Sequence, residues 1–197
     1  MTSTVTQLTR DYEGATVPQA GEYAIDPAHT SVEFVARHMM VSKVRGRFGS
    51  FSGTVVIGEV PEASRVDVTI DPASVSTGNP DRDAHLMSPD FFEVETYPTW
   101  EFRSTKVEHE RGDHWKVTGD LTLHGVTKPV VLDVEFAGAS PTPWGTNAIG
   151  FTASTEIDRD DFGISFNAAL ETGGVVVGKR VRIELEVEAS TAAAQAA

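Results

Sequence analysis

The sequence predicts an all-β fold, a closed antiparallel barrel with a short helical excursion near one end. Three observations predict it. Apolar and polar residues alternate in six separate segments, which is typical of strands that bury one face. Turn-forming residues separate these segments, and no stretch has the periodicity of a helix of three turns. Long antiparallel strands without covering helices favour closure, because a closed barrel leaves no unpaired edge.

The alternation begins in residues 31–38, where Val32, Phe34, Ala36 and His38 share one predicted face. The other five segments follow in order, at residues 65–71, 115–123, 130–136, 149–157 and 181–187. Between the first two segments, residues 44–57 contain three glycines. Glycines inside a strand region predict the bulges and sharp bends that barrel corners require.

Residues 76–98 interrupt this pattern. The segment is too long for a hairpin loop and is dense in polar groups. Within it, residues 81–87 are compatible with one or two helical turns. We expect a lid that covers one end of the barrel.

Length and patterning predict a single barrel domain over residues 21–188 of the 197. Residues 1–20 and 189–197 lack a repeating apolar face, so we expect a flexible tail at each terminus. The first 19 residues also lack the apolar core of a secretory signal, which favours a cytoplasmic location. No stretch approaches the roughly 18–20 apolar residues that span a bilayer.

The formal net charge of −13 argues against nucleic-acid binding, because an acidic surface repels phosphate backbones. The same charge disfavours docking on anionic lipid surfaces. The absence of cysteine excludes disulfides, thiolate metal sites and cysteine nucleophiles.

The predicted inner faces carry small or polar residues among large apolar ones. Ala36, His38, Ser104, Gly119 and Thr155 interrupt them, and such a mixture is typical of a ligand cavity with polar contacts. Two alternatives stay open. The barrel core can be filled by its own side chains, or a metal-binding protein or enzyme can be built on a histidine cluster of His29, His38, His85 and His124.

Eight short strings resemble the YceI-like family of lipid- or polyisoprenoid-binding proteins, and together they extend over about residues 21–188. Each string alone is weak, but their order and spacing are specific. They are YAIDPAHTSVEF (23–34), GRFGSFSG (46–53), SVSTG (74–78), RDAHL (82–86), DFF (90–92), YPTWEF (97–102), GDLTLHGVTKPV (119–130) and RDDFGI (159–164).

The resemblance implies an extended, eight-stranded, lipocalin-like barrel with an elongated internal tunnel. It implies a ligand with a long chain, such as a polyisoprenoid, an isoprenoid quinone or a fatty-acid-like molecule, bound for carriage, storage or stress protection. It further implies no catalytic activity, no cofactor apart from the bound lipid, and a homodimer.

The ligand-binding residues that we expect combine the inward strand positions with a few polar groups. Trp100 is expected at a rim with its indole N–H hydrated, and His38, Arg82 and His85 are expected at the polar head of the ligand. The tunnel wall is expected to contain Phe34, Ala36, Val68, Ile70, Phe102, Leu121, Leu132, Val134, Phe136, Phe151 and Ile183.

Overall fold

Antiparallel strands account for most of the chain in the computed structural model, which describes residues 7–39, 41–168 and 176–191. A single short α-helix, α1 (Pro80–Met87), lies among them within these ranges. The strands are β1 (Thr9–Tyr12), β2 (Ala15–Pro18), β3 (Gly21–Ile25), β4 (Ser31–His38), β5 (Ser42–Phe48), β6 (Phe51–Ile57), β7 (Arg65–Ile70), β8 (Val75–Ser76), β9 (Trp100–Arg111), β10 (His114–Leu123), β11 (Val126–Pro141), β12 (Asn147–Asp158) and β13 (Val177–Ser190).

Pairing of β12 with β13 closes the main sheet into a barrel. Three of its strands are each divided into two consecutive segments, which are β3 with β4, β5 with β6, and β7 with β8. β3 pairs with β6, where Gly21 is opposite Ile57. β4 pairs with β5, where Val32 is opposite Phe48. β7 pairs with β6, and β8 pairs with β5. With each divided strand counted once, the barrel has the eight antiparallel strands that the family resemblance implied.

The predicted alternation sets the inner face of the barrel. On β7, exposed and half-buried positions alternate strictly. Val66, Val68 and Ile70 all face the interior cavity, which confirms the predicted register. A slip of one residue would turn all three side chains toward solvent.

The two ends of the barrel are covered by different segments. At what we call the α1 end lie helix α1, the turn between β4 and β5, and the start of β13. The predicted excursion forms the lid at this end. Asn79 caps the helix by accepting a hydrogen bond from the Arg82 N–H at 3.1 Å. Phe91 and Phe92 follow the helix and are both buried, because this stretch is not a strand and does not alternate.

At the opposite end, which we call the hairpin end, β1 and β2 form a separate two-stranded hairpin. Ala15 and Val17 of β2 are only 1% and 2% exposed and belong to the main apolar core. The Arg10 guanidinium donates to the Glu59 and Gly58 carbonyls, each at 2.6 Å, and so ties the hairpin to the barrel rim.

The expected flexible tail over residues 1–20 is therefore corrected for residues 7–20, whereas residues 1–6 lie outside the described ranges. Four residues are too few for a recognisable alternation, and their burial depends on the open barrel end that they cover. At the other terminus, β13 continues through Ser190 and Ala189 is fully buried. The barrel thus extends slightly beyond the predicted boundary at residue 188, and residues 192–197 are not described.

We expect Val17→Ala to lower the free energy of unfolding by about 2 kcal/mol, because it removes buried methyl groups and leaves a cavity. Thr16→Ala is the matched control, since Thr16 is the exposed neighbour on the same strand, and should change stability by less than about 0.5 kcal/mol. Urea unfolding of the full chain measures both values. Equal effects of the two substitutions would show that the hairpin does not dock in solution.

Candidate functional site

An apolar cavity of about 290 Å³ occupies the interior of the barrel. It reaches from Val17 and Pro18 at the hairpin end to Phe92 and Ile164 at the α1 end. The inward positions of the barrel strands supply most of the wall between them. The cavity therefore runs along the barrel axis, as a tunnel for an extended molecule would.

Most of the residues expected to bind a ligand lie in the wall of this cavity. From β4, β7 and β9 come Phe34, Ala36, Val68, Ile70, Trp100 and Phe102. From β10 to β13 come Leu121, Leu132, Val134, Phe136, Phe151 and Ile183. The structure thus brings together, in one enclosed space, side chains that are up to about 150 residues apart in the sequence.

His38, Arg82 and His85 are not part of the cavity wall. His38 ends β4, where it is opposite Ser42 and Val177. Arg82 is exposed and its Nε donates to Thr77 Oγ1 at 2.7 Å. His85 is within hydrogen-bonding distance of Asp90, with 2.9 Å between Nε2 and Oδ2. Its ring packs edge-on against Phe91, with 5.1 Å between the ring centres. Since Phe91 is itself a wall residue, His85 supports the lid from outside.

Trp100 is a wall residue, but it does not stand at a hydrated rim. It is 5% exposed, and its indole N–H has no hydrogen-bond partner among the described residues. Phe48 and Phe92 meet the indole edge-on, with ring centres 5.2 and 4.7 Å away. The rim position predicted from the sequence is wrong because the lid folds Phe92 over the start of β9.

Aromatic rings occupy the space beside two glycines of the barrel strands. A Cβ atom at Gly119 would lie 2.4 Å from Cζ of Phe102, and one at Gly46 would lie 2.2 Å from Cζ of Phe34. The small size of Gly119 predicted free space beside it, but the Phe102 ring fills that space. Because Gly119 has no side chain, the Phe102 ring can lie close to the backbone of β10.

Arg159 is a wall residue that the inward alternation did not reveal. It is 4% exposed and follows the last residue of β12, at the α1 end. Its guanidinium donates to the carbonyls of Ile164, Gly178 and Val177, at 2.5, 3.1 and 3.4 Å. Burial lowers the pKa of this group, and the nearby Asp160 and Asp158 carboxylates oppose the shift. A guanidinium stays protonated in proteins, so a fixed cation borders the tunnel.

This position of Arg159 has a local cause. Asp158 caps the turn at Arg159–Phe162 by accepting from the Asp160 N–H at 3.0 Å. The only sequence signal for the residue was its place in the RDDFGI string, which carried no specific role.

The four histidines of the metal-binding alternative are not brought together. Of the residues that the structure describes, only Asp26, His29 and Glu188 form a group of three candidate ligands, and it contains a single histidine. His124 lies elsewhere, against Tyr97 with ring centres 4.5 Å apart, and His85 belongs to the lid. The proposed histidine cluster thus has no geometric basis in this structure.

No helix within the described ranges is both long and apolar enough to cross a membrane.

Comparisons with known proteins agree with this architecture. The family model described as YceI-like domain matches residues 23–189. A UPF0312 protein of Staphylococcus aureus strain N315 is 41% identical over 171 residues, which are 85% of this chain and 96% of that protein.

Solved structures extend the comparison. The Campylobacter jejuni YceI protein aligns with a TM-score of 0.69 at 34% identity, over 79% of this chain and 90% of its own. A polyisoprenoid-binding domain from Saccharophagus degradans aligns with a TM-score of 0.64, over 86% of this chain and 98% of its own. Its identity is 18%, so it shows similarity of fold.

The exposed His29 should titrate above the ordinary histidine value. Its Nδ1 is 2.8 Å from Asp26 Oδ2, and the hydrogen bond and charge of Asp26, with the charge of Glu188, raise the pKa. The contribution of protonated His29 to stability is complete below its unfolded-state pKa and is lost as the pH rises through the higher folded-state pKa.

NMR titration of the imidazole signal measures this shift, and Asp26→Asn should return the pKa toward about 6.5. An unchanged pKa in that variant would show that the pair does not form in solution.

Proposed function

Because the chain belongs to the YceI-like family, we propose that it is a non-catalytic binding protein for a long-chain amphiphile. The ligand lies extended in the barrel tunnel, with its chain against the apolar wall. A polyisoprenoid or an isoprenoid quinone has the required chemistry. The observation that carries the proposal is the continuous apolar lining between the two barrel ends.

The energetics of such a site favour a long chain over a compact molecule. Each buried methylene contributes roughly 0.8 kcal/mol, so affinity accumulates along the tunnel with few polar contacts. The Saccharophagus degradans domain, described as polyisoprenoid-binding, shares the fold and is in keeping with this class of ligand.

The polar end of the ligand is best accommodated beside Arg159. A guanidinium has five N–H donors, and the backbone carbonyls at Ile164, Gly178 and Val177 do not use them all. An oxygen acceptor such as a hydroxyl, a carbonyl or a phosphate can take a remaining donor. Ligand contacts by Arg82 and His85, expected from the sequence, would instead require the lid to change position, and His38 at the end of β4 lies outside the cavity wall.

The wall chemistry supports binding rather than catalysis. Among its described residues there is no histidine, and the carboxylate present is that of Glu33. Glu33 lies 3.9 Å from Arg45 on the outer face of the barrel. General acid–base catalysis needs positioned proton donors and acceptors at the reacting atoms, and a long hydrocarbon chain needs none.

Carriage, storage or stress protection, a cytoplasmic location and a homodimer stay predictions from the sequence and the family resemblance. Each is compatible with a barrel that encloses its ligand.

Organic-solvent extraction of the purified chain, followed by mass spectrometry, tests the proposal directly. We expect a lipid with a long apolar chain in an amount comparable with the protein. Protein that is folded but free of lipid after expression in a lipid-containing host would favour the filled-core alternative.

Ala36→Trp should abolish lipid retention while the protein stays folded, because the indole would occupy tunnel space beside Phe34 and Ile183. Ala137→Trp is the matched control, since Ala137 is exposed on β11, and it should keep the lipid. Thermal unfolding and lipid content are measured for both variants. In a filled core, by contrast, Ala36→Trp would destabilise the protein by about 1–3 kcal/mol or more.

A further inference from the structure

The turn between β4 and β5 presents apolar side chains to solvent at the α1 end of the barrel. We call the described residues 37–39 and 41–43 the β4–β5 tip. Val41 is 83% exposed and Met39 is 43% exposed. The described residues leave both side chains in contact with solvent, so the tip is suited to an apolar environment outside the barrel.

The same tip carries two basic residues that face each other. Arg37 on β4 is directly opposite Lys43 on β5, and both are exposed. Like charges at directly paired positions are destabilising. Within the described ranges neither residue lies within 4.0 Å of a carboxylate. The next outward pair differs, because Arg45 is 2.7 Å from Glu184.

Two directly opposite basic residues without a described carboxylate partner are unexpected on a chain whose formal net charge is −13. Farther along this face, Arg182 lies 3.0 Å from Glu184, and the residue directly opposite Arg47 is Glu33. At the tip, the directly opposite residues Arg37 and Lys43 are instead both basic. The local charge is therefore complementary to an anionic partner, although the protein as a whole repels one.

The tip is a direct continuation of the tunnel wall. Ala36, the residue before the tip, lines the cavity, and so does Val177 at the start of β13. Backbone hydrogen bonds hold the tip in place, from Met39 N–H to the Val176 carbonyl at 2.8 Å and from Val41 N–H to the His38 carbonyl at 3.1 Å. Whatever binds the tip is thus held beside the end of the tunnel that contains Arg159.

We propose that the β4–β5 tip docks the α1 end of the barrel onto the surface of an anionic lipid bilayer. Met39 and Val41 enter the boundary between head groups and acyl chains, and Arg37 and Lys43 contact the anionic head groups. The inference rests on the proposed function, because a tunnel that carries lipid needs to meet a membrane at one of its ends. Apolar and basic side chains on one narrow turn favour a bilayer over an acidic protein, which would supply no hydrocarbon layer.

Vesicle sedimentation of the full chain at low ionic strength tests the docking. One vesicle population contains phosphatidylcholine alone, and the other contains phosphatidylcholine with phosphatidylglycerol. We expect binding to the second population only, with weakening as salt is added. Met39→Asp/Val41→Asp and Arg37→Glu/Lys43→Glu should each lower the partition coefficient by at least roughly tenfold.

Matched controls come from the hairpin end. Trp144→Asp removes an apolar residue that is 78% exposed, and Arg65→Glu/Arg111→Glu reverses two exposed charges. All variants should unfold at wild-type temperatures, since the altered residues are exposed. Binding of the control variants should match that of the wild type.

The docking proposal is overturned if the wild type does not bind the phosphatidylglycerol vesicles, or if the tip variants bind as well as the wild type. It is also overturned if the control variants lose binding to the same extent. Lipid extracted from the same preparations reports on the proposed function separately. Lipid-loaded protein with unaltered tip-variant binding removes the docking inference alone, whereas folded protein without lipid removes the proposed function.

Discussion

The pairing of β12 with β13 is the interaction on which the remaining structure depends. It joins the edge strand β12 to β13 along eleven successive residue pairs, from Asp158 opposite Arg180 to Ala148 opposite Ser190. Closure sends every second side chain of each strand into one enclosed space, whatever its distance along the chain. The same pairing satisfies the backbone donors and acceptors that an open sheet would leave at its edges. The tunnel and its apolar wall are consequences of this closure.

Closure of the wall leaves the two ends of the barrel to be covered by other means. At the hairpin end, Val17 completes the apolar core from outside the sheet. At the α1 end, Phe91 and Phe92 cover the opening, and Arg159 brings a fixed charge to the wall. The ends therefore differ in chemistry. One is apolar and bound to the rim by Arg10, and the other combines a buried cation with an exposed basic and apolar turn. Under the proposed function, this asymmetry would give a bound amphiphile a defined orientation.

Packing inside the barrel is a compromise between a stable core and an open channel. Aromatic side chains bury large areas, but rings that projected to the barrel axis would fill the tunnel. Gly46 and Gly119 resolve this conflict, because Phe34 and Phe102 lie against the glycine backbone across from them. The rings contribute apolar contact to the wall while space remains along the axis.

The sequence by itself determined the strand content, the inward register of positions such as Val66, Val68 and Ile70, and most of the tunnel wall. Each of these follows from a period of two residues, which is a local property of the chain. Tertiary structure alone decided the docking of Val17, the burial of Trp100, the position of Arg159 and the separation of the histidines. Short segments at the barrel ends are too short to show an alternation of apolar and polar residues. Their burial depends on surfaces that exist only after distant strands have paired. The basic charge at the β4–β5 tip likewise depends on both levels. The sequence contains Arg37 and Lys43, but only the strand register places them opposite each other.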